Sequence, residues 1–178
     1  MQIQQGLTLL EVLLVLAVIA ILMSIAIPFS ETFLFQHRAA AEVNQILDAI
    51  NYARGEALSR GEIVTLCKSQ NQRQCNGSWS DGFIVFVDKI GKGVVQEEDD
   101  ILKVFRPIAS KARLEWRAFP SNNYLQMAPN GFTKFQNGTF YYCPPNNDAR
   151  FARAVIVDQT GRARVAYEDA DGNPLVCD

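Results

Sequence analysis

The chain is poor in histidine and has no excess of positive charge. Its 178 residues include one histidine, 17 Lys and Arg, and 19 Asp and Glu, for a formal net charge of −2 at pH 7. A single histidine excludes a His-rich zinc site, and any Ser-His or Cys-His nucleophile would depend on His37. The charge balance excludes a generally basic nucleic-acid binder, so nucleic-acid contact requires a local patch. We predict a structural or binding protein, not an enzyme, with no metal and no cofactor.

A long apolar run lies near the amino terminus. No charged residue occurs between Val12 and Ser30, and as a helix this run spans about 28 Å, close to the roughly 30 Å of a bilayer core. A cleaved secretory signal is the alternative. Against it, the leader MQIQQG carries no basic residue, no A-x-A site closes the run, and the run is longer than an ordinary signal's apolar region. We therefore predict a retained transmembrane helix.

One carboxylate, Glu11, stands at the front edge of the apolar run. A charge in the bilayer centre is costly. The simpler interpretation is a side chain that reaches to the membrane interface. The functional interpretation is a buried charge that pairs with the amino terminus of a neighbouring subunit.

The segment Gly6-Leu7-Thr8-Leu9-Leu10-Glu11-Val12 resembles the class III signal of type IV pilins and type II secretion pseudopilins. The resemblance implies that a prepilin peptidase cuts after Gly6 and methylates the new amino terminus at Leu7. Glu11 is then the fifth residue of the mature chain, and Pro28 is the twenty-second. The chain departs from the family pattern at Leu7, where phenylalanine is usual, and in its leader, which lacks the usual basic residue. The resemblance also implies an inner-membrane location and other pilins as partners.

The remaining sequence changes from helical to β periodicity at Gly61. From Glu31 to Arg60 apolar residues follow the i, i+3, i+4, i+7 spacing of an amphipathic helix. Eight strands are then predicted, at Ile63–Cys67, Phe83–Asp88, Ile101–Pro107, Arg113–Phe119, Tyr124–Met127, Gly138–Cys143, Arg153–Asp158 and Arg162–Tyr167. Turn residues separate them at Asp81-Gly82, Gly91-Lys92-Gly93, Asn130-Gly131, Asn137-Gly138 and Gln159-Thr160-Gly161. We predict an α+β fold, a long helix with a membrane half and an amphipathic half, packed on antiparallel β-sheet.

Four cysteines, Cys67, Cys75, Cys143 and Cys177, lie beyond the apolar run. Their spacing matches no zinc-ligand pattern, and an even number beyond a membrane helix indicates disulfides in an oxidising periplasm. Three pairings are open. We favour Cys67–Cys75, which closes a small polar loop, together with Cys143–Cys177, which ties down the carboxy-terminal tail.

The β region resembles minor pilins of the FimT/GspH type. The resemblance rests on Thr65-Leu66-Cys67-Lys68, on the stretch from Trp79 to Asp88, and on Val155-Ile156-Val157 followed by Gly161-Arg162-Ala163-Arg164-Val165. It implies the type IV pilin fold and a low-copy subunit that caps or primes a filament. The expected division is a leader at 1–6, a transmembrane and filament-core helix at 7–30, and a periplasmic domain at 31–178. We predict a minor pilin for type IV pilus biogenesis, and the alternative is a minor pseudopilin of the type II secretion system.

The segment Gly161-Arg162-Ala163-Arg164 carries the one candidate for nucleic-acid contact. On a strand, residues two apart leave the same face, so both guanidinium groups could hold successive phosphates. In FimT-like relatives a GRxR element at this position is associated with DNA binding during natural transformation. Arg150 and Arg153 could extend the patch, whereas Glu168, Asp169, Asp171 and Asp178 would oppose it. A solvated strand face or a contact with another subunit is the alternative.

The acidic run Glu97-Glu98-Asp99-Asp100 lacks the ligand spacing and the glycine of a calcium loop. We therefore predict a solvated acidic loop. His37, beside Arg38 just after the apolar run, is interpreted as a residue of the membrane interface.

Overall fold

The structure, a computed structural model, describes residues 8–109 and 111–177, without the side chains of residues 25–31 and 99. One long helix, α1 (Leu9–Arg60), opens the chain. Thr8 caps its amino end, where the Glu11 amide donates to the Thr8 carbonyl at 3.1 Å and to its hydroxyl at 3.3 Å. Gly61 ends it with φ of +67°, a conformation that glycine adopts without steric cost. The predicted end of the helix at Gly61 is therefore confirmed.

The chain forms two compact units, Met1–His37 and Arg38–Asp178. In the first unit the apolar side chains from Leu9 to Met23 are exposed, with Leu13 59% and Leu22 61% accessible. Within the described residues, no helical stretch combines the length and the apolar character that crossing a membrane requires. Residue 7 and the side chains of 25–31 lie outside the description, so the transmembrane segment at 7–30 stays a prediction.

The second unit contains eight antiparallel strands in two sheets. The strands are β1 (Val64–Lys68), β2 (Phe83–Val87), β3 (Ile101–Phe105), β4 (Arg113–Phe119), β5 (Tyr124–Met127), β6 (Asn137–Cys143), β7 (Arg153–Val157) and β8 (Ala163–Ala166). The first sheet has the order β3-β2-β1-β5, and the second sheet has the order β4-β6-β7-β8. The predicted α+β pilin fold is confirmed, and all eight predicted strands are present, with ends that differ from the predicted ones by at most two residues.

The core of the second unit lies between α1 and the inner faces of both sheets. The helix presents buried residues at three- and four-residue intervals, as an amphipathic helix requires. Four of them are alanines with no accessible surface, Ala39, Ala49, Ala53 and Ala57. These small side chains let the sheets approach the helix closely. Strand residues complete the same cluster, among them Val64, Leu66, Phe83, Val85, Trp116, Leu125, Met127, Phe140, Tyr142, Val155 and Val157.

Aromatic rings pack against one another within this core. Trp79, in a short 3-10 turn before β2, meets Phe140 of β6 edge-on with ring centroids 5.0 Å apart. Trp116 of β4 stacks on the same Phe140 at 4.3 Å. Such pairs stabilise the fold beyond the area they bury, by about 0.5–1.5 kcal/mol each.

Each sheet also has a covered outer face with its own small cluster. On the first sheet, Cys67, Ile84 and Phe86 are buried beneath loop residues, and the disulfide Cys67–Cys75 fastens one of those loops. On the second sheet, Ala152 and Ala154 are covered by Leu175 of the carboxy-terminal tail. The disulfide Cys143–Cys177 fastens that tail. The two bridges are the pairing that the sequence favours.

One predicted turn is wrong. Asn137 and Gly138 belong to β6, where they pair with Phe119 and Ala118 of β4. A side chain at position 138 has no room, because a β-carbon there would lie 2.5 Å from both the Ala118 β-carbon and the Arg117 carbonyl oxygen. The glycine therefore serves close strand packing and not chain reversal.

Candidate functional site

The amino-terminal signal is described only in part. Gly6 and Leu7, the predicted processing residues, lie outside the described residues. Glu11 lies in the first turn of α1 with its side chain exposed. A carboxylate at a helix amino terminus is favourably placed, because the unpaired amide groups there carry partial positive charge. The exposed position leaves the Glu11 carboxylate accessible to a neighbouring chain.

The arginine turn, residues 158–162, connects β7 to β8. The Asp158 amide donates to the Arg162 carbonyl at 3.1 Å, and the Gly161 amide donates to the Asp158 carbonyl at 3.0 Å. The Asp158 carboxylate accepts bonds from the Thr160 hydroxyl and the Arg162 amide, and these bonds lower the pKa of Asp158. β8 begins at Ala163, so Arg162 belongs to the turn and only Arg164 to the strand. The predicted start of this strand at Arg162 is therefore wrong by one residue.

Arg162 and Arg164 both carry exposed side chains. Within residues 8–109 and 111–177, neither guanidinium group forms an ion pair or a hydrogen bond. Arg164 borders a cavity of about 370 Å³ together with Glu168 and Asp169. The acidic tail therefore lies beside Arg164, as the sequence leads us to expect.

The other two arginines of the predicted patch are occupied. Arg150 forms an ion pair with Asp148, with Nη2 2.7 Å from Oδ2, and this pair raises the pKa of Arg150 and lowers that of Asp148. Arg153 donates to the Ala152 carbonyl at 2.7 Å and lies 4.5 Å over the Tyr167 ring. The structure thus presents two free guanidinium groups at the hairpin and not four.

The contact between Arg153 and Tyr167 follows from the spacing of the residues around the hairpin. A hairpin centred on Thr160 pairs Ala154 with Ala166, which sets Arg153 and Tyr167 opposite each other at its open end. Stacking of a guanidinium group on an aromatic ring is a common outcome of such a pairing.

A buried carboxylate that the sequence analysis did not single out lies at the end of β2. Asp88 is 1% exposed, and its Oδ2 accepts bonds from the Thr65 hydroxyl at 2.9 Å, the Gln126 side-chain amide at 2.7 Å and the Gly93 amide at 2.7 Å. Its Oδ1 accepts the Lys92 amide at 3.2 Å. These bonds satisfy the carboxylate and tie β1, β5 and the loop after β2 together, which is a structural role. No cluster of three or more potential metal ligands occurs within the described part of the chain.

The acidic run after this loop is only partly solvated. Glu97 and Glu98 are exposed, as predicted. Asp100 is 6% exposed, and its Oδ1 lies 2.7 Å from Lys89 Nζ, a contact that raises the pKa of Lys89. The prediction of a wholly solvated loop is therefore wrong at Asp100.

The sequence patterns also did not point to two exposed phenylalanines, Phe132 and Phe135. They lie in the connection between β5 and β6, within the segment Asn130-Gly131-Phe132-Thr133-Lys134-Phe135. The available signal was a pair of large apolar residues in a stretch otherwise typical of a polar turn.

A long amino-terminal helix whose second half packs on antiparallel sheet is the architecture of a pilin-like protein. The chain belongs to the GspH family, described as type II transport protein GspH, whose model matches residues 42–161. The prokaryotic N-terminal methylation motif matches residues 1–27. No curated protein matches the chain significantly.

Two solved structures share the fold. The type IV minor pilin FimU of Pseudomonas aeruginosa PAO1 is 21% identical with a TM-score of 0.57, over 84% of this chain and 99% of that one. The minor pseudopilin EpsH of the Vibrio cholerae type 2 secretion system is 12% identical with a TM-score of 0.52, over 72% of this chain and 96% of that one. These two likenesses show the pilin-like fold, in agreement with the GspH family match.

Proposed function

We propose that this protein is a minor pilin of type IV pilus biogenesis, without catalytic activity. It inserts in the bacterial inner membrane by residues 7–30, with residues 31–178 in the periplasm, and then joins a filament. The observation that carries the proposal is the exposed apolar surface of α1 from Leu9 to Met23, within the segment that matches the methylation motif. Such a surface is unfavourable in water and requires lipid or neighbouring helices to cover it.

In this proposal Glu11 pairs with the free amino group of a neighbouring subunit's Leu7. The pairing offsets the cost of holding a carboxylate in an apolar environment. Glu11→Ala and Glu11→Gln should then leave membrane insertion intact and reduce the amount of protein in sheared filament fractions. Asp48→Ala, which removes an exposed carboxylate from the same helix, is the matched control. Normal filament incorporation of both Glu11 variants would contradict the pairing.

Processing after Gly6 is tested separately by mass spectrometry of the full-length protein extracted from membranes. The expected mature chain begins at a methylated Leu7. An intact Met1, or cleavage near Ser30, would contradict the role of a prepilin peptidase.

A minor pseudopilin of a type II secretion system is the second candidate, favoured by the GspH family match and by the fold shared with EpsH. Deletion of the gene separates the two. Loss of surface pili with normal protein secretion supports the minor pilin, whereas accumulation of secreted proteins in the periplasm with normal pili supports the pseudopilin.

The proposal includes a contact between the arginine turn and DNA. It is supported by the exposed, unpaired guanidinium groups of Arg162 and Arg164, which can hold phosphates without breaking an existing ion pair. Binding should be weak, indifferent to sequence and steeply weakened by salt, because few phosphates are contacted.

The test is a titration of labelled duplex DNA with full-length protein in detergent at low salt. Replacement of both Arg162 and Arg164 by Gln should remove most of the binding. Arg150→Gln is the matched control, because this guanidinium is already paired with Asp148. Neutralising Glu168 and Asp169 should raise affinity, since both border the cavity beside Arg164. Absence of duplex binding by the unmodified protein would overturn the contact.

A further inference from the structure

The connection between the two sheets, residues 128–136, exposes two aromatic rings. We call it the aromatic loop. The side chain of Phe135 is 86% exposed and that of Phe132 is 49% exposed. Both rings border one cavity of about 250 Å³, together with Lys134 and with Gln159 of the arginine turn. The aromatic loop therefore places two exposed phenylalanine rings at one solvent-facing site.

This exposure does not result from a loose loop. The Lys134 amide donates to the Gln126 carbonyl at 3.0 Å, and the Ala128 amide donates to the Phe132 carbonyl at 2.7 Å. Gln136 is 1% exposed and holds the far end, where its side chain accepts from the Gln126 amide at 2.7 Å and donates to the Tyr124 carbonyl at 3.1 Å. The rings are therefore held on a fixed backbone, which reduces the entropy lost when a ligand binds.

Backbone strain marks the same position. Phe135 has φ of +59°, a region that costs a bulky side chain roughly 1–2 kcal/mol. The strain is not repaid by burial, since the ring is almost fully exposed. Residues held in this way concentrate at functional sites.

The aromatic loop and the arginine turn are in direct contact. The Thr133 amide donates to the Gln159 carbonyl at 3.1 Å. A β-carbon at Gly161 would lie 2.2 Å from the Gly131 carbonyl oxygen, so the two backbones touch. Arg162, the residue after Gly161, is therefore carried by the segment that packs on the aromatic loop.

The charges at this site favour an anionic ligand. Residues 128–136 contain Lys134 and no carboxylate, and Lys134 is only partly engaged, with Nζ 3.2 Å from the Gly91 carbonyl. Arg162 adds a free guanidinium group. The one carboxylate of the arginine turn, Asp158, is held by bonds within the turn.

We propose that the aromatic loop and the arginine turn together form a binding site for single-stranded nucleic acid. Unpaired bases stack on Phe132 and Phe135, while Arg162 and Lys134 hold phosphates. This inference rests on the DNA contact in the proposed function and specifies its substrate. Exposed rings beside cations are the features that proteins use for single strands, and a duplex cannot offer base faces to the rings because its bases stack on one another.

The experiment compares fluorescent oligothymidylate of about 12 nucleotides, within the roughly 4–16 nucleotides that an OB fold covers, with a duplex of equal length. The full-length protein in detergent is titrated at low salt. Single-strand affinity should exceed duplex affinity by about tenfold or more, and each of Phe132→Leu and Phe135→Leu should lower single-strand affinity by about tenfold. Leucine retains apolar surface without a stacking ring. Phe132→Tyr and Phe135→Tyr should retain binding.

Two controls isolate stacking. An oligonucleotide of abasic sites keeps the phosphates and lacks the bases, so its affinity should fall to that of the duplex. Phe33→Leu alters a phenylalanine of similar exposure, 53%, in the first unit and should have no effect.

The outcomes separate the two proposals. Equal single-strand and duplex affinity, with unchanged binding by the leucine variants, overturns the aromatic site and leaves the arginine contact standing. Single-strand binding that depends on both rings but survives loss of Arg162 and Arg164 supports base stacking on the rings, and overturns both the arginine contact and the phosphate role of Arg162. Unchanged nucleic-acid binding by the leucine variants, with reduced filament incorporation, assigns the rings to a protein neighbour and also overturns the inference.

Discussion

The two sheets share one helix on their inner faces and are closed very differently on their outer faces. The first sheet is covered by neighbouring loops, fastened by a disulfide that joins cysteines only 8 residues apart and by the buried Asp88. The second sheet is covered by the tail, fastened by a disulfide across 34 residues. Beneath the tail lie the small residues Ala152 and Ala154, whereas Phe86 and Ile84 fill the outer cluster of the first sheet.

The outer faces of the two sheets therefore depend on contacts of different sequence range. The first sheet is closed by local interactions, and its outer cluster contains large side chains whose burial stabilises it strongly. The second sheet depends on a distant segment and ends in the exposed edge strand β8, which carries Arg164. The unpaired Arg164 therefore lies on the sheet that the tail closes, beside the acidic residues Glu168 and Asp169.

The largest expected effect concerns the first sheet. Asp88→Ala removes the acceptor of four hydrogen bonds, three of them shorter than 3.0 Å, and leaves buried donors without partners. We expect the free energy of unfolding to fall by about 4 kcal/mol in urea titration. Asp148→Ala, which removes the carboxylate of a surface ion pair with Arg150, should destabilise far less. Equal effects of the two variants would contradict the structural role of Asp88.

The next prediction compares the stabilisation that the two disulfides provide. Loop-closure entropy assigns about 3.8 kcal/mol to the bridge across 34 residues and about 2.5 kcal/mol to the bridge across 8 residues. Replacing Cys143 and Cys177 by serine should therefore destabilise more than replacing Cys67 and Cys75. Limited proteolysis should cleave the tail only in the first variant. Cleavage of the tail in both variants would break the distinction between local and distant closure.

The pH dependence of the free energy of unfolding tests the second sheet, through Tyr142 of β6. Burial, and then the nearby charge of Glu42, raises the pKa of Tyr142 from 10.0 to about 12, and this residue is 2% exposed. The folded protein favours the neutral phenol of Tyr142. The stability that this preference contributes is therefore fully present below pH 10 and is lost as the pH rises through 12. The two-unit gap corresponds to about 3 kcal/mol. Tyr142→Phe should show a correspondingly smaller loss of stability between pH 10 and 12 in chemical denaturation, and parallel curves would contradict the assignment.

The smallest effect concerns the connection between the sheets. Phe135→Gly relieves the strain of positive φ but raises the entropy of the unfolded chain, so we expect a net stabilisation of about 0.5 kcal/mol. Phe119→Ala, at an 81% exposed phenylalanine without positive φ, should change stability by less than about 0.5 kcal/mol. A thermal shift assay measures both. Clear destabilisation by Phe135→Gly would show that the ring has a structural role.

The local elements of this fold were accessible from the sequence, because strand alternation and turn residues are local properties. The end of α1 at Gly61 and strands such as Arg113–Phe119 follow from such patterns. The separation into two sheets was not accessible, since pairing β1 with β5 depends on contacts between residues about 60 positions apart. The free state of Arg162 likewise depends on which carboxylates the folded chain brings near it.

The contact between Gly161 and Gly131 limits which substitutions the two turns can accept during evolution. The Gly131 carbonyl accepts a hydrogen bond at 2.9 Å from Nε of Arg54, a residue of α1. A β-carbon at position 161 would clash with the same carbonyl oxygen. A lineage that replaced Gly161 would have to move this carbonyl and disturb the bond to Arg54 at the same time. The two turns are therefore expected to diverge together among relatives. A recombinant with a crossover between positions 131 and 161 should therefore fold poorly wherever the second parent lacks glycine at position 161.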